Sequence, residues 1–487
     1  MGDVFTPLQW GEFAVSQFDI FNAWINGATV FDPTMGHGHL LESLVSFGTK
    51  QGYSIHDLPI NHLFGNEINT YHHATALDRF KEKYGLDMSE NFSNKDLLCL
   101  TPKKFDIILG NPPWQNFVDL PAHYKEKIKP LFATFDLVAN KQNLLLGGAR
   151  IDIAALIIQV SILNFLKNKG KAYFFMPLSL LLNDGAHEQF RTYKIHKTHF
   201  SPVKIFDFNK EPVFNNVSTR YGLVHFKKNE EVSFPIDYFI FNDRNWQQFL
   251  ASPIGAKSGP LSIFKKQSEI PNKFHSIEIS RKSTPRQGLN TCGANNIYIF
   301  KTYKKISQNT CIVNNNIELP DDLVYPLLTS ENFKNPTPGA KAWVLLPYKH
   351  DGRPLAQEAI KGMPQLKKYL NSVRGNLISR KGVLINSWIK RGFWWALMGV
   401  GPYNFAPYKI VWEAYGKKKF IPRLFPGEWQ ANQALQAFIP FDSKQEAEQA
   451  LEKLQDPAIE EYLLSLKMEG TMNWAQPGKI KKLIHFV

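Results

Sequence analysis

The residues of this chain best suited to chemistry are Asn111-Pro112-Pro113-Trp114, set directly after the apolar run Phe105-Asp106-Ile107-Ile108-Leu109-Gly110. Together they read as a pocket for a planar amine. The nitrogen of such an amine has its lone pair delocalised into the ring, and it becomes nucleophilic only when acceptors localise that density. The Asn111 side-chain oxygen and the Pro112 carbonyl are two such acceptors. Consecutive prolines fix φ and remove two N–H donors, so the backbone offers the amine carbonyls alone, in a stiff turn. Trp114 adds a broad face for a ring to stack on. A plain strand-ending turn is the competing reading, because Asn-Pro and Pro-Pro also punctuate loops.

The elements that must position this tetrapeptide are legible upstream. Phe105–Gly110 has the composition of a buried parallel strand, and open α/β sheets bind ligands beyond the carboxyl ends of their strands. Thr29-Val30-Phe31-Asp32-Pro33-Thr34-Met35-Gly36-His37-Gly38-His39-Leu40-Leu41 reads as strand, glycine turn and helix start. Gly36 and Gly38 would let the backbone approach a ligand closely. The third glycine of the dinucleotide fingerprint is missing and no phosphate-cradling loop is present, which disfavours nicotinamide cofactors and nucleoside triphosphates. Asp32 would neutralise a cationic ligand. A second apolar stretch from Ile60 to Gly65 ends in Asn66-Glu67, where an acid suits the two hydroxyls of a ribose. Asp96, in Ser93-Asn94-Lys95-Asp96-Leu97, is placed to accept an exocyclic amine from a cofactor's adenine. Each acid alone reads equally well as a loop residue or a helix cap. The order of glycine turn, acid, acid and Asn-Pro-Pro-Trp, each at a strand end, is what carries the inference.

That ordered set resembles the S-adenosylmethionine-dependent adenine-N6 DNA methyltransferases of bacterial restriction–modification systems, in the gamma arrangement where cofactor motifs precede the catalytic motif. Asp3-Val4-Phe5-Thr6-Pro7 resembles the family's N-terminal cofactor segment, and Asp32-Pro33-Thr34-Met35-Gly36-His37-Gly38-His39-Leu40-Leu41 its D-P-x-x-G-S-G-x-F-L motif, with His37 for Ser and Leu40 for Phe. The resemblance implies S-adenosylmethionine as cofactor, held by Thr6, Pro7, Asp32, Pro33, Gly36, Gly38, Glu67, Asp96 and Asn111. It implies that Asn111, Pro112, Pro113 and Trp114 are catalytic, although the family's last position is more often Tyr or Phe. Asp152–Ile158 and Gly170–Pro177 resemble the later helix and strand of the catalytic domain. Glu211-Pro212-Val213-Phe214-Asn215-Asn216-Val217-Ser218 resembles the stretch whose Phe packs on a flipped-out base. From the residues alone Phe214 is either a core aromatic or a stacking face, and the resemblance favours stacking beside Trp114.

Composition agrees with a nucleic-acid partner. The 487 residues include 57 Lys and Arg against 43 Asp and Glu, a net charge of +14 that suits displacement of counterions from a phosphate backbone. Charge alone says nothing about fold. Cys99, Cys292 and Cys311 are widely spaced, which argues against a zinc site or a disulfide scaffold and for reduced thiols in the cytoplasm, so no metal is expected. The longest apolar helix, Ile151 to Leu166, is interrupted by Asp152, Gln159 and Asn164 and is too short to span a bilayer. Met1-Gly2-Asp3-Val4-Phe5-Thr6 fits a myristoylation pattern, but Thr6 is better explained by the Thr-Pro cofactor segment, so no membrane partner is expected.

A chain of this length should hold two domains. The expected boundaries are 1–228 for an S-adenosylmethionine-dependent catalytic domain, 229–285 for a connection and the start of the second domain, and 286–487 for a DNA target-recognition domain. The expected fold class is α/β: a Rossmann-like methyltransferase domain, with a mostly parallel seven-stranded sheet and helices on both faces, followed by a mixed α+β domain. Ala251 to Pro285 reads as an irregular connection. Arg286–Tyr298, Leu323–Leu328 and Ala406–Trp412 resemble, in that order, the target-recognition domain of single-chain adenine methyltransferases. Arg281, Lys282, Arg286, Arg391, Trp394, Lys417 and Lys418 interleave charge with aromatic surface and are the candidate DNA contacts. Singly, each of these reads as a solvated loop or as core.

The resulting expectation is a monomeric enzyme that rotates adenine out of double-stranded DNA and methylates its N6 nitrogen, with any cognate restriction endonuclease a separate protein. Rotation costs a few kcal/mol, which stacking on Trp114 and Phe214 would offset at about 1–3 kcal/mol per base. The rival readings are methylation of RNA adenine or of protein glutamine, whose amide nitrogen poses the same electronic problem, and a DNA-binding relative without catalysis.

Overall fold

The computed structural model describes residues 4–486 apart from 139–150, 184–186, 210, 215–216, 218, 255, 268–276, 335–338, 416–418, 433–435 and 466–474. Contacts divide the chain into two units, Met1–Asn272 and Lys273–Val487.

The first unit is built on one sheet whose strands are, in chain order, β1 (Val30–Asp32), β2 (Leu63–Asn66), β3 (Phe92–Ser93), β4 (Phe105–Gly110), β5 (Leu166–Pro177), β6 (Lys194–Ile195), β7 (Thr198–Asp207), β8 (Tyr221–Lys228), β9 (Ile236–Asn242), β10 (Asn245–Pro253) and β11 (Leu261–Phe264). Across the sheet they run β11-β10-β9-β7-β8-β5-β4-β1-β2-β3, and β6 pairs with β7. β1 lies between β2 and β4, parallel to both, with Val30 opposite Leu63 and Ile107. Its three residues are all buried, which explains an apolar run without alternation. Chain order reverses at β1, and a parallel sheet opens a crevice at such a point.

Two expectations need correction. The sheet has eleven strands where seven were expected, because residues assigned to a connection continue it. β9 pairs parallel with β7, and β10 and β11 follow antiparallel. The first unit therefore runs past residue 228, to Asn272. Aromatic packing across strands explains this: Phe239 stacks on Phe206 at 4.8 Å, and Trp246 lies 4.9 Å from Phe206 and 5.2 Å from Phe13. Such cross-strand pairs outweigh the polar turn residues that suggested a boundary. The seven strands β3, β2, β1, β4, β5, β8 and β7 are consecutive in the sheet, and β8 alone among them runs antiparallel to its neighbours.

Helices α1 (Leu8–Gln17), α2 (Ile20–Ile25), α3 (His39–Lys50), α4 (Thr70–Tyr84), α5 (Ala122–Thr134) and α6 (Ile153–Val160) carry the rest of the site. α6 is capped by Asp152, whose carboxylate accepts the Ala154 N–H at 2.9 Å. It is shorter than its apolar run suggested, since Ser161–Phe165 widens into a π-helical turn that leads into β5. α3 and α4 are clamped by the fully buried Glu42, which takes Arg79 at 3.1 Å and Lys83 at 2.6 Å. No helix among the described residues is long and apolar enough to cross a membrane.

The second unit is mixed α+β. It holds a four-stranded antiparallel sheet (Arg286–Gln287, Gln436–Phe441, Tyr408–Glu413, Arg423–Pro426), two three-stranded sheets and a parallel pair of Ile277–Ile279 with Ile484–Phe486. Helices at Pro364–Ser372, Val383–Lys390 and Lys444–Leu454 flank them in sequence. Trp395 and Trp412 are core residues, and the Trp412 indole donates to the Ala475 carbonyl at 2.6 Å.

One side chain joins the strand-end loops of the first unit. Asn66 is fully buried; its Nδ2 donates to the carbonyls of Pro33 at 3.2 Å and Lys95 at 3.1 Å, and its Oδ1 accepts from Ser93 at 2.7 Å. Asn66→Ala strands these groups, so we expect a loss of about 1–3 kcal/mol of unfolding free energy in urea titration. An unchanged midpoint would show that the loops hold together without it.

Candidate active site

The crevice at the carboxyl ends of β1, β2 and β4 is a cavity of about 240 Å³ whose lining includes Thr6, Asp32, Pro33, Gly36, Glu67, Asp96, Asn111, Pro112 and Pro113. These residues come from five separate stretches of sequence, and the strand ends bring them together. Pro7, Gly38, Trp114 and Phe214 lie off that lining. Pro7 instead precedes α1, and its carbonyl accepts the Trp10 and Gly11 N–H groups.

Asn111 follows the last residue of β4, and its amide is oriented by the N-terminal segment. Nδ2 donates to the Val4 carbonyl at 2.8 Å and to the Thr6 hydroxyl at 3.1 Å. A carbonyl can only accept, so the Val4 contact commits the nitrogen to that side and leaves the oxygen facing elsewhere. Among the described residues Oδ1 is buried without a hydrogen-bond partner. The Asn111 backbone carbonyl accepts from the Thr34 hydroxyl at 3.2 Å, tying the tetrapeptide to the turn after β1.

That turn is held by acids. Asp32 is 1% exposed and accepts the Thr34 N–H at 3.0 Å. Burial holds its carboxyl well above the usual range, the Thr34 bond lowers it, and the neighbouring Glu67 charge raises it further. Glu67 accepts the Gly36 N–H at 2.9 Å and the Asn69 N–H at 2.8 Å, so it braces two loops as well as lining the cavity. Asp96 accepts the Leu98 N–H at 3.0 Å and pairs with Lys127 at 2.6 Å. Each acid keeps further lone pairs for a ligand.

Gly36, on the cavity lining, and Gly38 also make close internal contacts. A Cβ on Gly36 would lie 2.8 Å from the Phe5 ring, and one on Gly38 would lie 3.2 Å from Phe80; both residues have positive φ. They admit the protein's own rings into the turn. Phe5 in turn stacks on His37 at 4.0 Å, and His37 Nε2 lies 2.9 Å from His72 Nδ1. The unusual His37 is thus part of an aromatic clamp on the N-terminal segment. His39, on the cavity lining, is pushed down to about 4 by burial and then by the Arg79 charge.

Trp114 meets Phe214 edge-on, with ring centres 4.9 Å apart, and Tyr221 at 5.4 Å. Phe214 is 4% exposed. The two rings expected to sandwich a base touch one another here, so a base between them requires them to part. Among the described residues the Trp114 Nε1 is buried and has no hydrogen-bond partner. After Trp114 the chain pairs with the start of α6: Phe117 N–H donates to the Ile151 carbonyl at 2.8 Å, and Ile153 N–H to the Gln115 carbonyl at 2.9 Å. Asp152 at this junction is raised to about 6, by burial against its bonds to Ala154 and Gln115.

Residues 40–214 match the family model described as Eco57I restriction-modification methylase. That span holds Glu67, Asp96 and the whole Asn-Pro-Pro-Trp tetrapeptide, and amounts to roughly a third of the chain. No curated protein matches. Similar solved structures include the type IIL restriction-modification enzyme MmeI in complex with DNA, with a TM-score of 0.49 and 13% identity over 89% of this chain and 60% of that one. The type IIG restriction endonuclease BpuSI has a TM-score of 0.42 and 16% identity over 98% of this chain and 58% of that one. A type I restriction-modification methyltransferase subunit from Streptococcus thermophilus has a TM-score of 0.32 and 19% identity over 45% and 42%. The chain spans about 60% of the length of MmeI.

Sequence reasoning placed Val4 and Phe5 in the N-terminal cofactor segment but gave them no role of their own. It missed Asn66, next to Glu67. Tyr124, Ile153 and Ile157 line the cavity from α5 and α6, and no local signal announces them. In the second unit Arg281, Lys282 and Arg286 line one cleft. Arg391 lies 4.0 Å over Trp388, and Trp394 lies 5.4 Å under Arg374. Lys417 and Lys418 lie outside the described residues.

Because Thr6 is one of two anchors on the Asn111 amide, Thr6→Val should loosen that amide while the cavity stays formed. We expect turnover to fall about 10-fold or more, the size of effect that slight misplacement of a reacting group produces. Wild-type turnover in single-turnover assays would show that Val4 suffices.

Proposed function

We propose that the chain is a modification methyltransferase of a restriction–modification system, transferring a methyl group from S-adenosylmethionine to the N6 nitrogen of an adenine extruded from double-stranded DNA. The observation that carries this reading is the Asn111 side chain: its nitrogen is anchored, and its oxygen is buried and unpaired. A buried acceptor without a partner costs about 1–3 kcal/mol, and such an atom calls for a ligand donor. An amine N–H supplies one. The match of residues 40–214 to a restriction-modification methylase family supports methyl transfer, and the Asn-Pro-Pro-aromatic motif with its carbonyls supports an sp2 amine as acceptor.

The cavity residues suit the cofactor. Glu67 would take the ribose hydroxyls, Asp96 the adenine amine, and Thr6 with Asp32 the methionine part. S-adenosylmethionine supplies an electrophilic methyl carbon on a sulfonium. Asp32, held above its usual range by burial, would be favoured in its charged form beside a cation. Asn111 Oδ1 and the Pro112 carbonyl would each accept one N–H of the target, localising the lone pair on nitrogen. Orientation by two fixed acceptors supplies a large part of such a rate enhancement. No strong base is needed, because the proton of the methylated, cationic nitrogen can pass to water. Trp114 would stack on the base after parting from Phe214, offsetting the few kcal/mol of extrusion.

Asn111→Ala should reduce methyl transfer to adenine-containing duplex DNA by at least about 10²-fold, as loss of one preorganised polar contact does. Cofactor and DNA affinity, measured by calorimetry and anisotropy, should persist. Turnover at the wild-type rate would refute the assignment. Trp114→Ala should lower the fluorescence rise of 2-aminopurine placed at the target position, and an undiminished rise would remove Trp114 as a stacking partner.

A further inference from the structure

The second unit holds a cavity of about 460 Å³ between the Arg281–Arg286 loop, His350, the Pro402–Pro407 loop and the segment from Pro440 to Asp442. One wall is cationic. Arg281, Lys282 and Arg286 are exposed there against a single acid, Asp442. The opposite wall is aromatic: the Arg286 guanidinium lies 4.6 Å from the Tyr403 ring centre, and His350 stacks on Phe405 at 5.0 Å and 25°.

The rings stand on a rigid support. The Gly401 N–H donates to the side chain of Asn404 at 2.9 Å, and Asn404 is fully buried. Its amide donates to the Gln430 side chain at 3.2 Å, which donates back to the Asn404 carbonyl at 3.0 Å. Gly352, at φ +80°, packs so tightly that a Cβ there would lie 2.4 Å from the Gly401 carbonyl carbon and the Pro402 nitrogen. A fully satisfied buried network of this kind rigidifies what it holds. Tyr403 and Phe405 pack on the unit's cores on one side and are half-buried, so each keeps part of its ring surface open at the cleft.

A ligand that satisfies both walls needs an anionic, oxygen-rich group for the arginines and lysine and a planar π-system for the rings. An acidic peptide satisfies the first wall alone, and an apolar ligand the second alone. We propose that this cleft is a nucleotide subsite that takes one nucleotide of a bound DNA strand, its phosphate on Arg281, Lys282 and Arg286 and its base against Tyr403 and the His350–Phe405 pair. The inference rests on the DNA-modifying reading above and adds a second point of DNA contact to it.

The test compares the wild-type chain with Tyr403→Ala, Arg286→Gln and the exposed double variant Arg281→Gln/Lys282→Gln in duplex-DNA anisotropy titrations at several salt concentrations. Tyr403→Ala should weaken DNA binding at least about fivefold, the lower end of what losing one base–aromatic stack removes. The double variant should lower the slope of log affinity against log salt by up to about one, the share of the one phosphate the cleft neutralises. S-adenosylmethionine affinity should be unchanged throughout. Wild-type DNA affinity and salt slope in all three, in a chain that still methylates DNA, would overturn the cleft alone. A wild-type chain that neither binds nor methylates DNA would overturn the reading beneath it. Deoxyadenosine monophosphate provides a further arm: if it binds the wild type and not Tyr403→Ala while DNA affinity is equal in both, the site serves a free nucleotide and the DNA assignment fails.

Discussion

The first unit depends on how one amide is held. Asn111 closes β4, yet the groups that orient its side chain come from the N-terminal segment, more than a hundred residues earlier. The sheet makes that meeting possible by placing the ends of β1 and β4 side by side, and the Phe5–His37 stack keeps the segment seated over the glycine turn. With the nitrogen of the amide engaged, its oxygen remains an unpaired acceptor at the cavity. A fold selected for stability alone would not keep such an atom, because its desolvation is uncompensated until a donor arrives.

The acids around the cavity do two jobs at once. Glu67 and Asp96 accept backbone N–H groups from the loops that carry them, and Asp32 does the same for Thr34. A carboxylate fixed in this way loses little further freedom when a ligand binds, which is the physical meaning of a preorganised site. Burial of Asp32 beside Glu67 concentrates negative potential in a small volume and disfavours its ionisation. A cationic ligand relieves that disfavour.

The two units differ in how they present aromatic residues. Around Trp114 the rings of Phe214 and Tyr221 contact one another. In the second unit Tyr403 and Phe405 keep exposed surface, and their loop is tied down by Asn404 and Gln430. Aromatic content alone could not separate these cases. Trp394 and Trp395 are neighbours in sequence, yet one is partly exposed beneath Arg374 and the other is core.

The amino-acid sequence by itself determined the strand-end motifs and their order, because each is a local matter: an apolar strand, then residues whose backbone or side-chain chemistry suits a ligand. Asp32, Glu67, Asp96 and Asn111 could be singled out in this way. Local pattern also places β1 and β4 close to their expected positions, and the family resemblance does the same for β5 and α6. Only tertiary structure decided the extension of the sheet through β9 to β11, since the aromatic contacts that recruit those strands join residues far apart in the chain. It also decided that Gly36 and Gly38 admit Phe5 and Phe80, that Val4 and Thr6 hold Asn111, and that Arg281 and Arg286 share a cleft with Tyr403 and Phe405. These are long-range steric and hydrogen-bonding facts, and no spacing rule along a single strand or helix encodes them.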